Sequence, residues 1–148
     1  MGCDIHMYAE KLVDGEPEAI LFKMPEWLHK YAPNRPLNNI QYYDLGRSYN
    51  LFGWLADVRN GSDVEPLSDP RGIPSDASEA IKSAYAYGYP DIHTPSWFFL
   101  KELLEFNYDE FLEDSKVTYR TFLPTQWFKF LEVLQEKGAY RIIFWFDN

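Results

Sequence analysis

The stretch Cys3-Asp-Ile-His-Met-Tyr-Ala-Glu-Lys-Leu-Val13 decides the reading of this 148-residue chain. Asp4, His6, Tyr8 and Glu10 fall on one parity, and Ile5, Met7 and Ala9 on the other. Successive side chains of a strand point to opposite faces, so this alternation predicts a strand with one face in a core. The other face then looks either into water or into a polar cleft.

Working outward, Asp14-Gly15 supplies a turn, and residues 19–24 read as the returning strand after a loop longer than a tight hairpin. Residues 25–47 hold Pro25, Pro33 and Pro36 and read as an irregular excursion with a short helix near Trp27. Ser48 is placed to cap a helix that buries Leu51, Phe52, Leu55 and Val58 and ends at Asn60-Gly61. Pro66, Pro70 and Pro74 stiffen the next loop. Asp76 and Glu79 have capping-box spacing, which predicts a helix over 77–87 stopped by Gly88. Residues 89–95 read as a connection, 99–106 as a helix and 116–123 as a strand rich in Val, Thr, Tyr and Phe. Thr125 caps a helix over 126–137, and 140–146 is a strand apolar on both faces, hence central. This order predicts one α+β domain over residues 1–148, with an antiparallel or mixed sheet of about four strands and helices mainly on one face.

Composition narrows the function classes. The chain is 46% hydrophobic, ample for a domain that buries roughly 70% of its unfolded surface. Its 23 acidic against 14 basic residues give a net charge of −9, which repels phosphate backbones and argues against broad nucleic-acid binding. Six acids and no Lys or Arg fall between Glu102 and Asp114, a solvated face or a surface for a basic partner. The single cysteine fits a reducing cytoplasm, and no apolar run reaches membrane-spanning length. Walker loops, dinucleotide fingerprints, zinc-finger spacing and nucleophile elbows are all missing, so P-loop and Rossmann enzymes are not supported.

Candidate chemistry concentrates on the polar side of the first strand. Carboxylate and imidazole together suit a divalent transition metal, and Asp91-Ile-His93 repeats the Asp-x-His of Asp4-Ile-His6. Asp4, His6, Asp91 and His93 would form one metal site if the loop before Ser96 folded onto the strand. Without metal, His6 suits proton transfer, with Asp4 fixing its tautomer and His93 as a second catalytic imidazole. Tyr8, Glu10 and Ser96 join them as ligand-binding candidates. Arg47, Arg59 and Arg71 sit at element boundaries or in the stiff loop, where guanidinium forks would hold phosphate or pair with Asp44, Asp57 and Asp69. Trp27, Tyr31, Tyr42, Tyr43, Tyr85, Tyr87 and Tyr89 gather in loops and at helix ends, where they either stack on a base or pack beneath loops.

The motifs also carry a resemblance. The ends Met1-Gly-Cys-Asp-Ile-His6 and Arg141-Ile-Ile-Phe-Trp-Phe-Asp-Asn148 look like those of a family encoded mostly in tailed-phage genomes. Arg47-Ser-Tyr-Asn-Leu-Phe52, Ala56-Asp-Val-Arg-Asn60, Pro70-Arg-Gly-Ile-Pro74, Ser96-Trp97 and Glu102-Leu-Leu104 follow that family's order. Where the family has His-Ser-His-Ser-Trp, this chain reads His93-Thr-Pro-Ser-Trp97, which weakens any two-histidine site there. The resemblance implies a phage origin and brings no activity with it. The expected function is an accessory, counter-defence protein of the host cytoplasm that binds or hydrolyses a phosphorylated small molecule such as a nucleotide signal. The alternative is a non-enzymatic acidic protein that occludes a basic surface of a host protein.

Overall fold

The alternating stretch forms β1 (Asp4–Val13) in the computed structural model of the protein. The structure describes residues 2–148, so Met1 of the opening motif lies outside the described residues. Asp14 and Gly15, at φ of 52° and 79°, turn the chain straight into β2 (Glu16–Ala19), with Val13 opposite Glu16. Two positive-φ residues give the mirror-image turn whose twist matches the strands it joins. The expected long loop is therefore a tight hairpin, and Pro17 is tolerated because β2 is an edge strand.

β3 (Phe22–Lys23) pairs with β4 (Asn38–Asn39) as a separate ribbon around α1 (Glu26–Tyr31). β5 (Gln41–Tyr42) then returns to pair with Met7 and Tyr8 of β1. The last strand, β7 (Arg141–Asp147), runs antiparallel to β1 from Asp4 opposite Asp147 to Glu10 opposite Arg141. Its other edge takes β6 (Ile92–Phe99), completing a five-stranded antiparallel sheet of an α+β fold. β6 runs through the residues read as a connection. Its register breaks between His93 and Ser96, where Thr94 sits at φ 54° before Pro95, so period-two patterning is lost there. A β-branched residue in the left-handed region is a strained position.

One sheet face carries the main core. α2 (Tyr49–Ala56), α4 (Leu100–Glu105) and α6 (Thr125–Glu136) bury Leu51, Phe52, Leu103, Phe130 and Leu134 with Met7, Phe98, Ile142, Phe144 and Phe146. Each such side chain contributes roughly 1.5–3 kcal/mol over leaving it in water. Ser48 caps α2 as expected, its Oγ accepting from the Leu51 N–H at 3.2 Å. Residues 116–123 are not a strand. Thr118 Oγ1 accepts from the Thr121 N–H and starts α5 (Tyr119–Phe122), while the Tyr119 ring meets Phe106 edge-on at 5.0 Å. Local capping and a ring contact override the β-type composition, leaving one bridge between Phe111 and Thr118.

α3 (Glu79–Gly88) lies on the opposite face, where Ile81 packs with Tyr8, Ile143 and Trp145. The expected capping box does not form. Asp76 accepts instead from Arg141 Nη1 at 2.8 Å, and the Ser78 N–H donates to Glu10 Oε2 at 2.6 Å. A carboxylate from β1 thus satisfies the start of the helix. The polar row of β1 is roofed over its second half and open over its first.

Candidate functional site at the His6 cleft

Where the roof of α3 ends, a cleft of about 1000 Å³ opens between α3, the Arg35–Tyr43 segment and the ends of β1, β6 and β7. His6 faces it from β1. The side chain next to it comes from the far end of the chain, because antiparallel pairing sets Asp147 opposite Asp4, the first residue of β1, on the same parity as His6 and Trp145. His6 Nε2 bonds the Asp147 carboxylate, and Gln41 Nε2 donates to His6 Nδ1 at 3.2 Å. Tyr8 donates its hydroxyl to Gln41 Oε1 at 3.4 Å. Burial pushes the Tyr8 phenol well above its ordinary range, so it stays a neutral donor. The chain Tyr8–Gln41–His6–Asp147 therefore has one consistent polarity: Nε2 carries the proton toward the carboxylate, and Nδ1 keeps the lone pair.

Below this chain Trp145 forms the floor, stacked on Tyr8 at 4.5 Å and on His6 at 6.5 Å. A carboxylate-oriented imidazole on an apolar floor, its side chain 27% exposed, is the arrangement of a general base or acid. Asp91 and Ile92 close one end of the cleft, and Tyr43, Tyr87, Tyr89 and Arg35 line it.

The structure brings His6, Tyr8 and Asp91 of the expected site to this cleft and takes the others elsewhere. Asp4 is exposed and held by Arg47 through two bonds of 3.0 Å. His93 pairs opposite Phe146, on the other face of the sheet from His6; its ring stacks on Phe146 and its Nδ1 meets Thr94 Oγ1 at 2.9 Å. The bulge at Thr94 does not reverse that parity for His93. The four-residue metal site therefore does not assemble, and no group of three His, Cys, Asp or Glu side chains able to hold a metal occurs among the described residues.

The remaining candidates are absorbed by the fold. Glu10 is 0% exposed and receives Arg141 Nε at 2.7 Å. Ser96 is buried and accepts from the Arg71 N–H at 3.0 Å. Arg71 itself grips Glu102 through two 2.7 Å bonds and lies 4.5 Å over the Phe98 ring. Those bonds hold the Glu102 carboxyl below the usual carboxylate range. Arg59 stands over the Tyr49 ring at 5.6 Å. None of the three expected arginines lines the cleft.

Arg35 does, and sequence reasoning missed it because it lies in the irregular excursion. Among the described residues Arg47, Arg71, Arg120 and Arg141 are paired with carboxylates and Arg59 with a ring, whereas Arg35 has neither. Asp147, Gln41 and Trp145 were also missed. The parity of the closing strand carried a signal for the first and last: Ile143, Trp145 and Asp147 alternate just as His6, Tyr8 and Glu10 do. No family model, curated protein or solved structure matches this chain.

Proposed function

We propose that this chain is a phage-encoded accessory protein that binds a phosphorylated small molecule in the His6 cleft and transfers a proton there through His6. The observation that carries the reading is Arg35, the arginine without an internal partner among the described residues, lining the same cleft as the His6–Asp147 pair. A planar guanidinium binds phosphate bidentately. Asp147 orients the imidazole, and the Nδ1 lone pair is covered by the Gln41 amide at 3.2 Å, a bond that an incoming water replaces. Such a water gives its proton to Nδ1 as its oxygen bonds to phosphorus, the P–O bond to the leaving group breaks, and the imidazolium returns that proton from Nδ1 to the departing oxygen. Removal of a phosphorylated host signal by this route fits a counter-defence role.

The test is thermal unfolding against a panel of phosphorylated metabolites. A ligand at a hundred times its Kd stabilises by about 2.7 kcal/mol, a rise of roughly 5–11 °C for a domain of this size. Arg35→Ala and His6→Ala should each abolish the rise, and Arg35→Ala, at an exposed residue, should do so without lowering the melting temperature of the free protein. A panel that shifts nothing, or shifts all three proteins alike, removes the reading.

A second reading rests on the turn after α4. Phe111 is 58% exposed there, and Glu110, Glu113 and Asp114 have no cationic partner within salt-bridge distance among the described residues. An aromatic anchor with an acidic rim suits a basic surface of a host protein. Charge reversal at Glu110 and Glu113 with Phe111→Ala should strip salt-sensitive partners from the protein; an unchanged set of partners excludes this surface.

A further inference from the structure

We infer that the ligand of the His6 cleft carries a planar aromatic ring as well as a phosphate, the chemistry of a nucleotide, and that Tyr87 and Tyr89 receive the ring. The inference rests on the phosphate reading above and adds to it. Seven of the eleven tyrosines have another aromatic ring as a packing partner: Tyr8 and Tyr85 on Trp145, Tyr42 on Phe22 and Phe130, and four more in the main core and at its edges. Tyr31, Tyr43, Tyr87 and Tyr89 have none among the described residues, and three of those four line this one cleft.

Their exposure is the second observation. Tyr87 is 94% and Tyr89 74% exposed, so both hold apolar ring faces in water at the edge of the cleft. Packing beneath a loop, the ordinary reason for a tyrosine there, does not apply to them. The backbone between them rests on β6. A side-chain carbon on Gly88 would lie 3.1 and 3.2 Å from Ile92 side-chain atoms, so the end of α3 rests directly on Ile92. That contact seats the backbone between the two tyrosines at the rim of the cleft. The wall between them and the floor is Ala80, Ser83 and Ala84, small residues that leave room for a flat group. Bases stack on aromatic side chains whatever their identity, so this arrangement reads a ring without reading which ring.

Isothermal titration with four probes tests the inference: AMP, GMP, ribose 5-phosphate and adenosine. Both mononucleotides should bind at least about tenfold tighter than ribose 5-phosphate, which keeps the phosphate and lacks the ring. Tyr87→Ala/Tyr89→Ala should bring them down to the ribose 5-phosphate level and leave ribose 5-phosphate itself unchanged. Both tyrosines being exposed, that variant keeps the wild-type melting temperature. Arg35→Ala should weaken the three phosphates by the same factor. Equal affinity of wild type for nucleotides and ribose 5-phosphate overturns the ring and leaves the phosphate site standing. Adenosine binding as tightly as AMP, with no effect of Arg35→Ala, overturns the phosphate. Failure of all four to bind overturns both.

Discussion

Replacing Glu10 by Gln isolates the ion pair that seats the roof of the cleft. Glu10 is 0% and Arg141 3% exposed, and the carboxylate receives Arg141 Nε at 2.7 Å and the Ser78 N–H at 2.6 Å. Glutamine keeps the volume and removes the charge, so the buried guanidinium loses its closest counter-ion. Breaking a buried pair from one side costs about 3–5 kcal/mol. Asp76 stays on Arg141 Nη1 at 2.8 Å, which places the loss toward the lower end, about 3 kcal/mol. At roughly 2–4 °C per kcal/mol the melting temperature falls by about 6–12 °C. Removing both charges with Glu10→Gln/Arg141→Met should recover most of this, because no uncompensated ion then remains in the core and the glutamine oxygen still accepts from the Ser78 N–H. Urea denaturation with calorimetry measures both variants. A Glu10→Gln loss under about 1 kcal/mol, or a double variant weaker than the single, refutes the reasoning.

Two further perturbations follow from the same structure. Gly53→Ala puts a carbon 2.6 Å from Asn60 Oδ1, the atom that accepts from the Val64 N–H, while Asn60 Nδ2 donates to Asp57 and Val64. Losing two or three such bonds at about 1 kcal/mol each lowers stability by roughly 2–3 kcal/mol, readable in a urea titration. Asp76 and Glu102 are held below the ordinary carboxylate range by their bonds to Arg141 and Arg71. A depressed folded-state value contributes stability that is present above about pH 4 and is lost as pH falls through the lowered values. The melting temperature should therefore decline below about pH 4, and Glu102→Gln should flatten that limb; an unchanged limb contradicts the assignment.

The parts of the fold written in periodicity were legible. β1 alternates, β7 is apolar on both faces, and Ser48 precedes a helical stripe, so each announced itself locally. β6 was hidden because Thr94 and Pro95 interrupt its alternation with a bulge. The 116–123 segment misled because Thr118, a good strand residue, is also a good cap. The candidate site was legible from one side. The polar row of β1 marked His6, but its partners come from register and from the excursion. Asp147 stands 141 residues away and Gln41 35 away, distances that no local pattern spans. Parity also explains the failure of the expected metal site: Asp91-Ile-His93 repeats the motif of β1, yet His93 falls opposite Phe146, on the sheet face that His6 does not share. The arginines were misassigned for another reason. In so acidic a chain most guanidinium groups find a carboxylate or a ring of their own, and which one is left over is set by the tertiary fold.

The central claim is that ligand enters beside His6. Imidazole nitrogen resonances of the three histidines, followed by NMR while AMP is added, test it most directly. The account predicts that both His6 nitrogens move and saturate with the added nucleotide, because Nδ1 exchanges its Gln41 partner while Nε2 stays on Asp147, and that His93 and His29 stay still. Saturable binding that leaves the His6 signals unmoved would contradict it.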